Sequence, residues 1–388
     1  MGDRHRSPEV SGVDMLRVAA PPRHAYADNL KVALVCGVIV AHVTMAWADL
    51  QGAWVFSEPP VRDPLLSLLK LATIVGAFFG MPLFFLIAGM FTPASLERKG
   101  LRRFAIDRTI RLLIPSLLFV LLLTPPIEYV DSDTVGWTRG YWAFIPHVWT
   151  MWPPAPGPTW FLGVLLVFSL LYGVTRTVWP RRTTRRQPLR GQHLVIAAAT
   201  IAVTSYPLRI VVPLGHEVWH LALAQAPAWA VGFTLGVLGG ERGWFQPLDA
   251  DLARAARRVA WPAMALCVAV VAVVASTAGT DVLFGGGTWG SLGLAMLEGT
   301  IMVTVSLWLI DLFQRRFDHQ GRVGREMSRA AYAAFLVHQI VLVGLVLASR
   351  HVAWPPELKY LEVAVLGVAI SFALGALLVR LPGLSRIV

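Results

Sequence analysis

The sequence is poor in charged residues and in cysteine. Only 15% of its 388 residues are Asp, Glu, Lys or Arg, whereas soluble proteins carry about 25%. The two cysteines, Cys36 and Cys267, lie inside apolar stretches and show no metal-ligand spacing, which excludes a disulfide framework and a cysteine-based metal site. Residues 1–29 lack the short apolar core of a cleavable signal peptide. We therefore expect residues 1–24 to form a disordered cytoplasmic tail.

Apolar sequence is abundant instead, at 56% of the residues and with a mean hydropathy of +0.60. Stretches of about 20 apolar residues, enough to cross a bilayer as a helix, recur along nearly the whole chain. The sequence therefore predicts an all-α, polytopic integral membrane protein with about ten transmembrane helices in one domain, residues 25–388. The sixth span is the weakest of these, because Pro227 is expected to break it. The predicted spans are 30–48, 67–91, 110–127, 158–179, 193–212, 218–239, 259–277, 290–312, 329–349 and 358–380.

Basic residues gather in every second loop between the predicted spans. The clusters lie within 98–111, 181–190, 242–258 and 315–329, and the intervening loops are poor in Lys and Arg. Because such residues favour cytoplasmic loops, both termini are predicted to lie in the cytoplasm. The net charge of +11 is thus placed to orient the chain in the membrane, and we expect no nucleic-acid partner.

The longest predicted outer loop, residues 128–157, is rich in tryptophan and proline. Tryptophan concentrates at the membrane–water interface, so the favoured interpretation is an aromatic belt in contact with lipid. The alternative is a lid that binds a sugar or a lipid above an outward opening.

Three ionisable side chains, those of His42, Glu298 and His338, fall deep inside predicted spans, where such groups are costly and are functional candidates. Lys31 precedes His42 by eleven residues, so on one helix the two side chains differ in direction by about 20° and lie about 16 Å apart. Lys31 would then sit at the cytoplasmic edge, where it could simply reach water. His42 could equally be bonded to a neighbouring helix, and Glu298 would be protonated or paired with His or Arg. The two histidines and the carboxylate could share one cavity.

Four segments, taken in order, resemble the membrane acyltransferase-3 family, which includes glucan succinyltransferases and O-acetyltransferases of surface sugars. YADNLKVALVCGVIVAHVTM is similar to the family's first helix, with Lys31 in place of the usual Arg and His42 as its histidine. MPLFFLIAGMFTPASLERKG with FAIDRTIRLLIPSLL, TWFLGVLLVFSLLYG, and AAYAAFLVHQIVL resemble later parts of the family's domain. Lysine lacks the planar fork that Arg presents to phosphate, which weakens the match at Lys31.

The resemblance implies a cell-membrane enzyme that transfers an acyl group, such as acetyl or succinyl, from cytoplasmic acyl-CoA to a hydroxyl. The acceptor would be a glycan or a lipid-linked saccharide; no permanently bound cofactor and no metal are expected. We expect His42 to act as general base or to carry the acyl group transiently, and Glu298 to orient or charge-balance the site. The residues expected to bind substrate are Lys31, Arg108, Arg111, Trp160, Tyr332 and His338.

Two other functions use the same residues differently. A proton-coupled transporter or permease would use the buried histidines and carboxylate as a proton relay, but the sequence shows no clear duplicated halves. A non-catalytic scaffold would have no need of ionisable groups at membrane depth. An acyltransferase is therefore the favoured prediction.

Overall fold

The computed structural model describes residues 25–48, 57–132, 136–150, 154–179, 187–245 and 247–383, and the predicted tail at 1–24 lies outside them. Regular structure in these residues is helical, apart from one isolated β-bridge. The α-helices are α1 (Ala25–Trp47), α2 (Leu65–Leu118), α3 (Thr124–Tyr129), α4 (Tyr141–Thr150), α5 (Trp160–Val178), α6 (Gly191–Val211), α7 (Ala226–Arg242), α8 (Ala250–Thr277), α9 (Asp281–Phe284), α10 (Trp289–Arg316), α11 (Arg322–Arg350) and α12 (Pro356–Leu378).

Eight helical segments in the described part of the chain are long and apolar enough to cross a membrane. The chain is therefore a polytopic, all-helical membrane protein, as predicted. One of these segments, Leu65–Tyr129, is 65 residues long and contains two of the predicted spans. The arrangement of ten crossings with both termini inside stays a prediction.

The basic segment after the second predicted span is helical and does not form a loop. Within α2, Gly100 adopts φ 70° and ψ 161°, a conformation open essentially only to glycine, and the chain is helical on both sides of it. One residue therefore bends the chain between the predicted spans 67–91 and 110–127. The cationic side chains around 98–111 consequently lie along helical surfaces, where they point in defined directions.

The sixth predicted span differs from the observed helix at its start. The predicted span begins at 218, whereas α7 begins at Ala226. The preceding residues form a tight turn, in which Trp219 and His220 have φ values of 54° and 59°. Pro227 does not break the helix, because it lies in the first turn of α7, where a missing N–H costs no intrahelical hydrogen bond.

Helix α7 packs against α2 through a ladder of glycines. Gly232, Gly236 and Gly240 follow one another at intervals of four and so lie on one face of α7. A Cβ atom at Gly236 would lie 2.0 Å from the carbonyl oxygen of Leu86, and one at Gly89 of α2 would lie 2.3 Å from a backbone oxygen of α7. The two backbones are therefore in direct contact, a mode of packing typical of membrane helices with small residues at every fourth position.

The remaining contacts arrange the helices that carry the buried polar residues. Helix α11 packs along α12 and against α1, while α10 packs against α6 and α8. The two predicted histidines are therefore on neighbouring helices, and the predicted carboxylate faces a different helix pair.

Candidate active site

The structure brings the two membrane-embedded histidines into contact. His42 of α1 and His338 of α11 have ring centroids 4.8 Å apart, with the planes inclined at 61°. His338 is fully buried. Since buried polar rings need partners, a contact of two imidazoles in an apolar core is a costly arrangement and is typical of a functional site.

Backbone hydrogen bonds determine which nitrogen of each ring carries the proton. Nδ1 of His42 lies 2.8 Å from the carbonyl oxygen of Val38, and Nδ1 of His338 lies 2.6 Å from that of Phe335. A carbonyl oxygen can only accept, so both Nδ1 atoms are donors and the Nε2 atoms of the neutral rings keep their lone pairs. Within the described residues, Nε2 of His338 has no hydrogen-bond partner. Nε2 is thus the unprotonated nitrogen of each neutral ring, and a general base that removes a hydroxyl proton needs a nitrogen in this state.

A proline-rich turn packs against Gln339, the residue that follows His338. Gly157 in this turn has φ +47°, and a Cβ atom on it would lie 2.2 Å from Oε1 of Gln339 and 2.7 Å from the ring of Phe119. Oε1 of Gln339 is buried and has no hydrogen-bond partner in the part of the chain that the structure describes. Phe119 begins a π-helical turn, Phe119–Leu123, a feature frequent at functional sites. Glycine is therefore needed here both for its backbone conformation and for its size.

Aromatic rings form one wall beside the histidines. Phe335 contacts His338 at a centroid distance of 5.7 Å and Phe161 at 5.9 Å. Trp160, which was predicted to bind substrate, packs on Trp229 of α7 with centroids 4.5 Å apart. Trp160 therefore belongs to the aromatic cluster beside the histidine pair, because Phe161, the next residue in the chain, contacts Phe335.

At the predicted inner side, two of the predicted cationic residues flank a single turn of α2. Lys31 pairs with Asp28 at 2.9 Å and lies 5.3 Å from the centre of the Phe91 ring. Arg108 donates to the hydroxyl of Thr92 at 3.4 Å, and its buried Nε has no partner among the described residues. A neutral hydroxyl does not compensate the guanidinium charge. The neighbouring Asp107 attracts this charge but forms no salt bridge with Arg108 within the described residues, so Arg108 retains the capacity to bind a phosphate.

Arg111 and Tyr332 are also brought together. The Tyr332 hydroxyl donates to the backbone carbonyl oxygen of Arg111 at 2.5 Å, which ties α11 to α2. The Arg111 side chain lies 3.3 Å from Asp107, which also pairs with Lys99 at 2.6 Å. Aspartates thus offset part of the positive charge that the sequence placed here, a feature that counting cations alone does not show.

Glu298 pairs with an arginine, one of the partners that the sequence allowed, and not with the histidines. Its Oε2 accepts from Nη2 of Arg209 at 2.5 Å, and both side chains are fully buried between α10 and α6. Since a buried carboxylate needs a compensating cation, this pairing accounts for Glu298 without any contact to the histidines. The sequence reasoning missed Arg209 itself, although an arginine near the outer end of a span departs from the alternation of basic loops and was a usable signal.

The predicted outer loop contains a stack of its own side chains. Trp137 stacks on His147 with centroids 4.7 Å apart, and the guanidinium of Arg139 lies 6.0 Å from the Trp137 ring. Trp142 is 81% exposed. The ring of Trp137 is thus covered by neighbouring side chains, while Trp142 is placed to contact lipid or solvent. Trp152 lies outside the described residues.

No three or more His, Cys, Asp and Glu side chains cluster in the described ranges in a way that could hold a metal ion. The described helices and their buried imidazole pair define a polytopic helical membrane protein with ionisable groups in its core. The model of the acyltransferase-3 family, described as an acyltransferase domain, matches residues 24–380, nearly the whole chain, and the protein belongs to this family. It is a multi-pass membrane acyltransferase. No curated protein and no solved structure gives a significant match.

Proposed function

We propose that the protein transfers an acyl group from cytoplasmic acyl-CoA to a hydroxyl of a glycan or lipid-linked saccharide in the cell membrane. Family membership supports acyl transfer in general. The single observation that carries the finer proposal is the contact of His42 with His338, in which both Nδ1 protons are engaged by the backbone. This geometry favours a base at membrane depth, where a donor from inside and an acceptor from outside would meet.

In the proposed reaction, His42 Nε2 takes the proton from the hydroxyl of the acceptor, and the oxygen of that hydroxyl attacks the thioester carbonyl. The new C–O bond replaces the C–S bond, and the CoA thiolate that leaves takes up the proton from His42. The products are an ester and CoA with a free thiol. In the alternative order, Nε2 of His42 attacks the thioester carbonyl, the C–S bond breaks and CoA leaves as the thiolate. The acceptor oxygen then attacks the acyl group on His42, the C–N bond breaks, and the hydroxyl proton passes to the thiolate.

His338 would act as a hydrogen-bond acceptor for the substrates. Its Nδ1–H is bound to the carbonyl of Phe335, so its Nε2 can accept from the acceptor hydroxyl or from an amide N–H of the pantetheine arm. This supports a substrate-binding role for His338 beside the catalytic role of His42. The ring of Trp160, in the adjacent aromatic wall, would offer an apolar face to the acceptor.

The inner cationic residues fit the CoA end of the donor. Lys31 and Arg108 flank one turn of α2, and cationic donors of this kind bind phosphate oxygens. Lys31 lies about 16 Å below His42 along the same helix, a separation that an extended pantetheine arm can span. Arg111 and Tyr332 would complete the inner mouth by joining α11 to α2.

The test compares His42→Asn with His351→Asn, a change at an exposed histidine at the end of α11. Purified membranes are given labelled acetyl-CoA or succinyl-CoA together with envelope glycans, and label transferred to the acceptor is measured. We expect His42→Asn to lose about 100-fold or more of the rate, as for removal of a general base, and His351→Asn to keep it. Full transfer by a folded His42→Asn protein would contradict the proposal.

The same preparation separates the two roles proposed for His42. Labelled acyl-CoA is supplied without acceptor, and the protein is quenched and digested. Label on the peptide that contains His42 would show that it carries the acyl group, whereas its absence alongside full transfer on addition of acceptor would favour the general base.

A further inference from the structure

A lateral groove lies between α5 and α7, away from the histidine pair. Its volume of about 490 Å³ is large enough for a lipid acyl chain with part of a head group. Its walls are apolar over most of their length and include Phe168, Leu171, Val237 and Leu238. Since most of the lining is apolar and the groove is open at the surface of a membrane protein, an acyl chain is the matching occupant for its apolar part.

Opposite charges lie side by side at one end of the groove. Glu241 accepts a hydrogen bond from the Tyr172 hydroxyl at 2.9 Å, and Arg176 Nε lies 3.7 Å from the same carboxylate. Arg176 Nη1 is buried and has no hydrogen-bond partner in the described parts of the chain. Trp179, at the end of α5, is 71% exposed, as expected for a residue at the membrane interface. The polar end is therefore at the level of lipid head groups.

We propose that this groove binds a phospholipid with a phosphoethanolamine head group. The lipid phosphate would accept from the unpartnered Nη1 of Arg176, and the ammonium would donate to the Glu241 carboxylate, which accepts several hydrogen bonds at once. One acyl chain would lie along Leu171 and Leu238. An anionic head group would bring its charge beside Glu241, and a choline head group has no N–H to donate, so both fit this end less well.

A lipid in the groove would contact both α5 and α7, the helices that also contribute to the aromatic wall beside the histidines. Phe168 and Phe233, on opposite sides of the groove, have ring centroids 5.5 Å apart. Further along the same helices, Trp160 and Trp229 form part of the wall beside the histidines. A lipid held by both α5 and α7 would therefore support the helix pair on which that wall is built. The binding site itself does not depend on which acyl donor the enzyme uses.

The test uses the full chain purified in mild detergent, delipidated and then supplied with phosphatidylethanolamine, phosphatidylglycerol or phosphatidylcholine. Lipid retention is measured by native mass spectrometry and stabilisation by thermal unfolding. We expect the ethanolamine lipid to be retained best. Arg176→Gln should weaken its retention about tenfold or more, as for a lost hydrogen bond to a charged group. Arg254→Gln, a change at an exposed arginine of α8, is the matched control and should have no effect.

A second variant keeps the proposal testable if Arg176→Gln folds poorly. Glu241→Gln retains a hydrogen-bond acceptor for Tyr172 but removes the negative charge, so preference should shift from the ethanolamine lipid to phosphatidylglycerol. Equal retention of all three lipids by the unaltered protein would show an apolar groove only and would overturn the proposal. A preference for phosphatidylglycerol by the unaltered protein, or unchanged selectivity in Glu241→Gln, would do the same.

Discussion

Breaking the buried pair of Arg209 and Glu298 from one side should destabilise the protein far more than removing both charges. The two side chains are fully buried and 2.5 Å apart, so either one left alone is an uncompensated charge in an apolar core. Removing one partner of such a pair typically costs about 3–5 kcal/mol. Glu298→Leu and Arg209→Met are each expected to lie in this range.

The double variant should recover most of that loss. Within the described residues, Nε and Nη1 of Arg209 and Oε1 of Glu298 have no hydrogen-bond partners, so the pair is incompletely satisfied. Replacement of a buried pair by apolar side chains is often neutral or stabilising by about 1–4 kcal/mol. We therefore expect the free energy of unfolding of the double variant to be higher than that of either single variant by about 3 kcal/mol or more. This difference corresponds to roughly a hundredfold in the unfolding equilibrium constant.

The measurement is unfolding of the purified protein by SDS in mixed micelles, followed through loss of helical circular dichroism. The exposed pair of Asp251 and Arg254 serves as control, and Arg254→Met should change stability by less than about 1 kcal/mol. A double variant no more stable than the single ones would refute the reasoning, as would a neutral Glu298→Leu. Acyl transfer per folded molecule should survive in the double variant if Glu298 supports the fold and takes no part in the chemistry.

Two further predictions concern packing and donor binding. Gly236→Val should sharply lower the yield of folded protein, because a Cβ atom there would lie 2.0 Å from the Leu86 carbonyl oxygen. Gly344→Val should be tolerated, because a Cβ atom at Gly344 would have nothing within 4 Å. Equal yields of the two variants in fluorescence-detected gel filtration would count against the glycine ladder. Arg108→Gln should raise the KM for acyl-CoA about tenfold with little change in kcat, measured by initial rates of label transfer, and an unchanged KM would exclude a phosphate contact at this residue.

The first helix shows how much of the candidate site can be predicted from the sequence. The eleven-residue spacing of Lys31 and His42 follows from helix geometry alone, so their shared stripe could be predicted. The contact with His338 could not, because it depends on how α1 and α11, which are far apart in the chain, meet in the fold. Apolar periodicity carries no information on which of the candidate helices are neighbours.

Glu298 and Pro227 show two other features that cannot be predicted fully from the sequence. A buried carboxylate needs a cation as partner, but the packing of α10 on α6 decides which cation it is. The position of Arg209 in the sequence marks it as unusual but does not pair it with Glu298. Proline usually breaks a helix, but the effect of Pro227 depends on its position in the helix, and that position becomes the first turn when the helix starts at Ala226. The ends of a transmembrane span are hard to predict, because charged residues, prolines and turn residues there favour different boundaries.

The glycine ladder between α2 and α7 restricts where the enzyme can change shape during turnover. Backbones that touch leave no layer of side chains able to repack, so this pair has one arrangement and not two. Helix α11 is also in backbone contact with α12, because a Cβ atom at Gly375 would lie 2.8 Å from the Ala330 carbonyl oxygen. An opening that admits a donor from one face and an acceptor from the other would then come from elements held by side chains, such as α1. Helix α1, which carries one imidazole of the pair, would be the moving part, and the helices in contact through glycines would be the fixed frame against which it moves.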